Sequence, residues 1–452
     1  MIFRKGFPFA ASVALLLWLW HLPCRAQEPP PGVASPSAGS RGESVSGVSD
    51  NAARAGILWN MDNVVAIALS RHPLVGQADD ETAAATARKG QAASLYYPTV
   101  SVSTRYSEFE GFSSSTGRSF STSAINVGGN LSQVITDFGR RRAGVRRADS
   151  LLSASRETGV ATRQDVAFQA KVAYYNVLRA RRILAVTRET TSQREALLRQ
   201  AKAFYEAGVR ARIDVARAEA NLYQARAELT AAENDLRVAR IILLNRMGID
   251  GPREFGLVDV LVVESPPGTI EEWIREAEEN RPELRSLIDR ERAAEIALGA
   301  ARAEHRPILT ANGGSGFANE EFPLRKTHSV SLVFEIPVFT GFFTSEKVKE
   351  AEASLSSTKH AVTDLGRRIR LEVEQAALSV REASERFEAR RKEQEASGEN
   401  LRLARERYKV GAGDIIEMID AQVQMTQAET AVIEALYDSS ISAATLLRAV
   451  GR

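Results

Sequence analysis

The fold is decided by a stretch near the C-terminus, Tyr408-Lys-Val-Gly-Ala-Gly-Asp-Ile-Ile-Glu-Met-Ile-Asp-Ala421, because an earlier stretch, Tyr205-Glu-Ala-Gly-Val-Arg-Ala-Arg-Ile-Asp-Val-Ala-Arg-Ala218, has the same layout. Subtracting 205 from 408 (tyrosines), 208 from 411 (glycines) and 214 from 417 (acids) gives 203 each time. A repeat of this length indicates a duplicated half-protein, since solenoid units repeat about every 20 to 50 residues. Each half is therefore expected to contain the same helix–turn–helix.

The register extends on both sides of each glycine turn, backwards to Ala173/Ala376 and forwards to Gly248/Gly451. Residues from about 140 to 205 and from about 345 to 408 contain no proline and are rich in Ala, Arg, Glu and Leu. At about 1.5 Å per residue, they predict two long helices of on the order of 100 Å. After each turn a shorter helix is predicted to return, at about 213–247 and 414–449, giving coiled-coil-like helix pairs.

Each half also contains one predicted β-hairpin, at about 99–135 and about 308–337. Beyond Pro98 and Pro307 apolar residues alternate with polar ones, which is typical of strands with one apolar and one polar face. The apolar faces are predicted to contain Val100, Val102, Tyr106, Ile125, Val127, Leu131, Leu309, Ala311, Val330, Leu332, Phe334 and Ile336. A loop is predicted at about 317–327, between the strands of the second hairpin.

Such strands fit either a soluble sandwich or part of a membrane barrel. Four strands are too few to close a barrel, because small closed barrels need about eight, and lipid does not tolerate open sheet edges. A membrane barrel would therefore need several chains. The aromatic residues near the strand ends fit an interfacial girdle and equally fit a buried core. They are Tyr96, Tyr97, Tyr106, Phe109, Phe112, Phe120, Phe317, Phe322, Phe339, Phe342 and Phe343.

Composition and motif spacing argue against several classes of function. A formal charge of +2 over 452 residues, with Arg and Glu interspersed along the helices, argues against nucleic acid as a partner. No Gly-rich phosphate loop follows a strand, and no metal-ligand spacing relates the histidines His72, His305, His328 and His360. No catalytic site, metal or cofactor is therefore predicted, and the chain is not expected to be an enzyme.

The N-terminus has the pattern of a secretory signal peptide at residues 1–26, with a basic start, an apolar run and a small-x-small cleavage site ending at Ala26. The single cysteine, Cys24, lies within it; lipidation of Cys24 is the alternative, and Pro23 argues against it. Residues 27–56 are predicted to be a disordered lead-in rich in Pro, Ser and Gly. The first repeat is then expected at 57–250, a linker at 251–268 and the second repeat at 269–452.

Over about residues 57–452 the chain resembles the TolC family of outer-membrane efflux proteins. The resemblance is carried by the duplicated layout, the prolines before each hairpin, the two turns and Asp137-Phe-Gly-Arg-Arg-Arg142. It implies a homotrimer whose twelve strands form one barrel in outer-membrane lipid, continuous with a helical tunnel across the periplasm. One departure is Phe342, which stands where the first half has Gly139, so the symmetry is expected to weaken where barrel and helices meet.

The resemblance also implies a function and partners. The chain would be the exit duct of a tripartite efflux or type I secretion system, working with a periplasmic adaptor (a membrane fusion protein) and an inner-membrane transporter. Two other classes of protein stay open from the residues alone: a trimeric coiled-coil adhesin or structural protein, and a soluble periplasmic helical adaptor. The resemblance implies that the inner-membrane partner delivers the exported substrate, so the sequence of the duct does not identify it.

Three sets of site residues follow from the resemblance. The adaptor-contact tip comprises Gly208, Val209, Val410, Gly411 and Ala412, although the glycines are also needed to end the helices. The periplasmic gate comprises Glu417 and Asp420, although Asp414 and Glu417 have the spacing of a capping box. Asp214 and Tyr408 would form an inter-helix latch, which contributes less than about 1 kcal/mol if it is exposed.

Overall fold

A computed structural model describes residues 58–115, 117–251, 255–259, 267–320 and 323–452 of the chain. The predicted signal peptide with Cys24, the predicted lead-in, Phe322 and parts of the predicted linker lie outside these described residues. None of the helices within the described ranges is both long enough and apolar enough to cross a membrane.

The described elements form two successive sets of the same kind. The first set is β1 (Leu58–Trp59), α1 (Met61–Arg71), α2 (Pro73–Ser94), β2 (Thr99–Ser113), β3 (Arg118–Thr136), α3 (Arg140–Glu206) and α4 (Arg212–Met247). After β4 (Gly256–Leu257), the second set is α5 (Ile270–Asn280), α6 (Pro282–Ala303), β5 (Ile308–Asn319), β6 (Arg325–Glu335), α7 (Phe343–Lys409) and α8 (Ile415–Val450). The predicted fold class, two helical repeats that each contain one β-hairpin, is confirmed.

Helix lengths match between the two halves. The long helices α3 and α7 contain 67 residues each, and the returning helices α4 and α8 contain 36 each. These pairs keep the offset of 203, since subtracting 140 from 343 and 212 from 415 gives that number. The shorter helices before the hairpins follow a different offset, because subtracting 73 from 282 gives 209. The first hairpin region is therefore six residues longer than the second.

The hydrophobic core is duplicated together with the helices. One buried cluster joins α1, α3 and α4, and a second joins α5, α7 and α8. Residues 203 positions apart occupy both clusters, in the pairs Val166/Ile369, Ala173/Ala376, Val177/Val380, Leu243/Leu446 and Met247/Val450. Equivalent positions thus face equivalent neighbours, which is why the same apolar spacing specifies both halves.

The segment between the halves connects them through one carboxylate. Asp259 accepts hydrogen bonds from Arg181 and Arg182 of α3, at 3.1 and 2.9 Å, and from the hydroxyl of Tyr437 in α8, at 3.3 Å. Burial and then the negative charge of Asp259 raise the pKa of Tyr437 to about 12, so this hydroxyl remains a donor at neutral pH. One carboxylate of the connecting segment therefore contacts a helix of each half.

The four long strands form one antiparallel sheet in the order β2-β3-β5-β6. The predicted loop at 317–327 is too long, because β5 continues to Asn319 and β6 begins at Arg325. Gly316 allows close strand pairing, since a β-carbon there would lie 2.6 Å from the Cα of Gly128. Glycine is therefore the residue that lets β3 and β5 approach.

The junction between the sheet and each long helix is preserved despite the departure at Phe342. Phe138 and Gly139 have φ values of 52° and 104°, and their counterparts Gly341 and Phe342 have 61° and 68°. Each junction thus has two successive left-handed residues, one glycine and one phenylalanine, in opposite order. The symmetry of the backbone is kept, and α7 begins at Phe343, the counterpart of Arg140.

Candidate functional site

The two glycine turns have the same hydrogen-bonded geometry. Gly208 and Gly411 are left-handed, with φ values of 69° and 77°. In the first turn the Val209 amide donates to Phe204 O at 2.9 Å, and in the second the Ala412 amide donates to Arg407 O at 2.9 Å. This pattern is a Schellman motif, which satisfies the last carbonyls of a helix. The glycines therefore end the two long helices, as the sequence predicted.

All five residues of the predicted adaptor-contact tip are exposed. Val209 keeps 66% of its surface accessible and Val410 keeps 76%, so each turn presents one apolar side chain to solvent. The turns lie side by side because a third core cluster beneath them contains residues of α3, α4, α7 and α8. In that cluster the ring of Tyr408 lies 5.8 Å from the ring of Phe204.

The predicted latch residues are brought together, but they form no hydrogen bond. Asp214 and Tyr408 are both buried, with 7% and 1% exposure, whereas the sequence suggested an exposed pair. The Tyr408 hydroxyl finds no hydrogen-bond partner among the residues that the structure describes. Burial first, and then the nearby charge of Asp214, raise the pKa of Tyr408. The two groups are thus close enough to interact through charge, and their role as a latch stays a prediction.

A contact between the turns comes from Arg210, which is not among the predicted site residues. Its Nη2 donates to the carbonyl oxygen of Gly413 at 2.7 Å, and its guanidinium lies 5.6 Å from the centre of the Tyr408 ring. Subtracting 210 from 413 gives 203, so Arg210 bonds to its own counterpart. Gly413 has no side chain, so it cannot donate an equivalent hydrogen bond back to the first turn.

Removing this bridge should loosen the second turn. We expect Arg210→Ala to destabilise the local backbone by about 1–2 kcal/mol, because hydrogen bonds from charged donors contribute about that much. Amide exchange at Ala412 and Gly413 should then be roughly tenfold faster, as measured by hydrogen-exchange mass spectrometry. Arg212→Ala is the matched control, since Arg212 is an exposed cation of the same turn. Equal exchange rates in the two variants would contradict the bridge.

The predicted gate acids differ in their partners. Glu417 forms an ion pair with Arg407 of α7, at 3.1 Å. Asp420 is exposed and has no hydrogen bond or ion pair with any described residue. The predicted capping box is wrong, because Asp414 stands at the N-cap of α8 without a side-chain capping bond. Glu417 turns instead to the nearby cation of α7. Of the two predicted gate acids, Asp420 is therefore the one whose carboxylate has no partner among the described residues.

The sheet forms the other part of the site, and its two faces differ. Residues opposite each other in an antiparallel pair share a face, so the register places Val100 with Leu131 and Val127 with Phe317. Polar residues share the other face, where Ser132 donates to Asn312 at 2.8 Å and Asn130 donates to Ser103 at 3.3 Å. The sheet thus has an exposed apolar face and a hydrogen-bonded polar face.

The aromatic residues near the strand ends are exposed, which excludes a core built from them within the described protomer. They are Tyr96, Tyr97, Tyr106, Phe109, Phe112, Phe120, Phe317, Phe339, Phe342 and Phe343. The outer edges of β2 and β6 pair with none of the described strands. An apolar face and two open edges together form a surface suited to further strand pairing in an apolar medium.

No metal site accompanies these features in the described part of the chain: its His, Cys, Asp and Glu side chains form no group of three or more that could hold an ion.

Comparison with known proteins identifies similarity over both halves. A family model described as "Outer membrane efflux protein" matches residues 64–248 and 273–452. The chain is 29% identical over 348 residues to the outer membrane protein OprJ of Pseudomonas aeruginosa, covering 74% of this chain and 71% of OprJ. It is 26% identical over 334 residues to the outer membrane efflux protein BepC of Brucella suis, covering 72% of each.

Solved structures give the same result for the fold. A membrane protein from Pseudomonas aeruginosa superimposes with a TM-score of 0.78 at 26% identity, covering 86% of this chain and 92% of that chain. The outer-membrane channel OprN superimposes with a TM-score of 0.78 at 19% identity, covering 86% and 89%. The family-model match spans both hairpins, both long helices and both glycine turns.

Proposed function

The chain belongs to the outer membrane efflux protein family, and we propose that its sheet and its paired turns are the two working ends of a trimeric exit duct. The family places the protein in the outer membrane, as an exit duct for an efflux or secretion system. Because the chain belongs to this family, the coiled-coil adhesin and the soluble periplasmic adaptor are set aside as alternatives. Members of the family are channels rather than enzymes, and in our proposal the duct is passive and needs no cofactor.

The observation that carries the proposal is the sheet with an exposed apolar face and two open edges. One chain supplies four strands, β2-β3-β5-β6. If β6 of each protomer pairs with β2 of the next, three chains close a twelve-stranded barrel and leave no edge, as lipid requires. The apolar face then contacts lipid and the polar face lines the lumen, which is the arrangement of membrane barrels.

The paired turns support a docking role at the periplasmic end. The matching family and the relative BepC are both described as outer membrane efflux proteins. Val209 and Val410 are apolar side chains held at exposed turns, beside Gly208, Gly411 and Ala412. Rigid turns with exposed apolar residues bind with a low entropic cost, since their backbone is already ordered. We propose that a periplasmic adaptor contacts these five residues, and that an inner-membrane transporter supplies the energy.

The proposal is tested by location, stoichiometry and crosslinking. We expect the protein in the outer-membrane fraction, and native mass spectrometry of the detergent-extracted protein should give three times the mass of one chain. A photo-crosslinking residue at Val410 should capture a periplasmic protein in cells, whereas one at Arg381, exposed on the side of α7, should not. Recovery from the soluble periplasm, or as a monomer, would overturn the duct.

A further inference from the structure

Two arginines lie on the polar face of the sheet in one row. The register aligns Arg105 with Asn126, Asn126 with Ala318, and Ala318 with Arg325, so one row across four strands begins and ends with arginine. Arg105 lies two residues from Ser103, whose side chain accepts the bond from Asn130 on the polar face. Side chains two apart in a strand share a face, and both arginines therefore project from the polar side.

The acids of the strands are segregated from these arginines. Glu108 accepts a hydrogen bond from Tyr106 at 3.1 Å, which places it with that tyrosine on the apolar face, and Glu110 follows two residues later. Glu335, opposite Ile308, is on the polar face but lies at the far end of the sheet, next to the helices. The described strands contain no other acid.

Both arginines are free to bind a solute. Arg105 and Arg325 are exposed, and neither forms a hydrogen bond or ion pair with a described residue. Guanidinium groups pair with carboxylate, phosphate and sulfonate in a two-pronged geometry that neutral groups do not match. The neighbouring polar face adds neutral donors from Ser103 and Asn126. The chemistry of this row therefore favours anions.

We propose that Arg105 and Arg325 form an anion-binding zone in the lumen of the sheet, selecting anionic solutes as they leave the duct. The inference rests on the proposed trimer. In that trimer β6 of one protomer pairs with β2 of the next. Arg325 of one chain and Arg105 of its neighbour therefore flank each junction, and the three junctions together contain six arginines. Like charges along a narrow lumen with low-dielectric walls focus the field and concentrate counter-ions by about 10-fold or more.

The test uses the purified trimer in planar lipid bilayers, with sodium tripolyphosphate as the anionic probe. Added on the side of the sheet at low salt, it should block the wild-type channel, and the half-blocking concentration should rise about tenfold in Arg105→Gln/Arg325→Gln. The same variant should lower the chloride-to-potassium permeability ratio. Added KCl should weaken the block, because the charges are screened. Arg105→Lys/Arg325→Lys should retain most of the block.

Lys326→Gln is the matched control, since Lys326 is paired with Phe317 on the apolar face and is the next residue after Arg325. Its block should equal that of the wild type. Unchanged block in the double glutamine variant, or an equal loss in Lys326→Gln, would overturn the anion zone. If the double variant does not insert into the bilayer, the single variants Arg105→Gln and Arg325→Gln provide the test. Each is expected to raise the half-blocking concentration by less than the double variant. Purified wild-type trimer without any conductance would instead overturn the duct.

Discussion

Asp420→Ala is expected to raise the single-channel conductance of the reconstituted trimer severalfold and to remove block by multivalent cations from the side of the turns. Asp420 is an exposed carboxylate without a partner among the described residues. In the proposed trimer three copies surround the axis, where a ring of like charges binds cations that obstruct the opening. Conductance traces in planar bilayers, with and without added hexaamminecobalt, measure both effects.

The other acids of the second turn make the test specific. Glu417→Ala should have a smaller effect, because Glu417 is already paired with Arg407 at 3.1 Å. Asp414→Ala is the matched control: Asp414 is exposed at the same turn, makes no capping bond and lies outside the predicted gate. If Asp420→Ala and Asp414→Ala give the same conductance and the same cation block, Asp420 is not part of a gate.

Gly316→Ala is expected to prevent assembly of the sheet and to lower the amount of trimer in the outer membrane roughly tenfold. A β-carbon at Gly316 would lie 2.6 Å from the Cα of Gly128 and closer still to the carbonyl oxygen of Val127. Both obstructing atoms belong to the backbone of β3, so no side-chain rotation relieves the clash. Overpacking of this kind costs about 1–3 kcal/mol or more per chain, and the trimer contains three copies.

A neighbouring glycine controls for composition and strand propensity. Gly313 lies in the same strand, and a β-carbon there would meet nothing within 4 Å. Gly313→Ala should therefore accumulate as wild-type trimer, quantified by immunoblotting of outer-membrane fractions and by native mass spectrometry. Equal yields of trimer from the two variants would show that the spacing between β3 and β5 tolerates a methyl group.

The parts of the fold that sequence could predict were those in which the pattern and the local physics agree. The 203-residue offset places α3, α4, α7 and α8 to within about two residues, because equal apolar spacing requires equal packing. The strands before each long helix followed from alternation after a proline. The expectation of a trimer, and of a periplasmic role for the turns, came from the resemblance and not from the packing of one protomer.

The misses come from contacts between residues far apart in the chain. The predicted loop at 317–327 includes Phe317, which pairs with Val127 of β3. Asp414 and Glu417 have the spacing of a capping box, but Arg407 from the preceding helix takes the Glu417 carboxylate. The reach of Arg210 to Gly413 depends on two turns lying side by side. The free carboxylate of Asp420 also becomes evident only when its neighbours are known.

The six-residue difference between the two hairpin regions has a consequence for the outermost surface of the assembly. β2 and β3 contain 15 and 19 residues, whereas β5 and β6 contain 12 and 11. At about 3.4 Å per residue, the first hairpin reaches roughly 10 Å further along the strand direction. Around the threefold axis the rim would then alternate three tall projections with three recesses. A large external ligand would contact all three projections equally only if it had the same threefold symmetry. An asymmetric ligand would bind to one side of the axis and leave part of the channel opening uncovered.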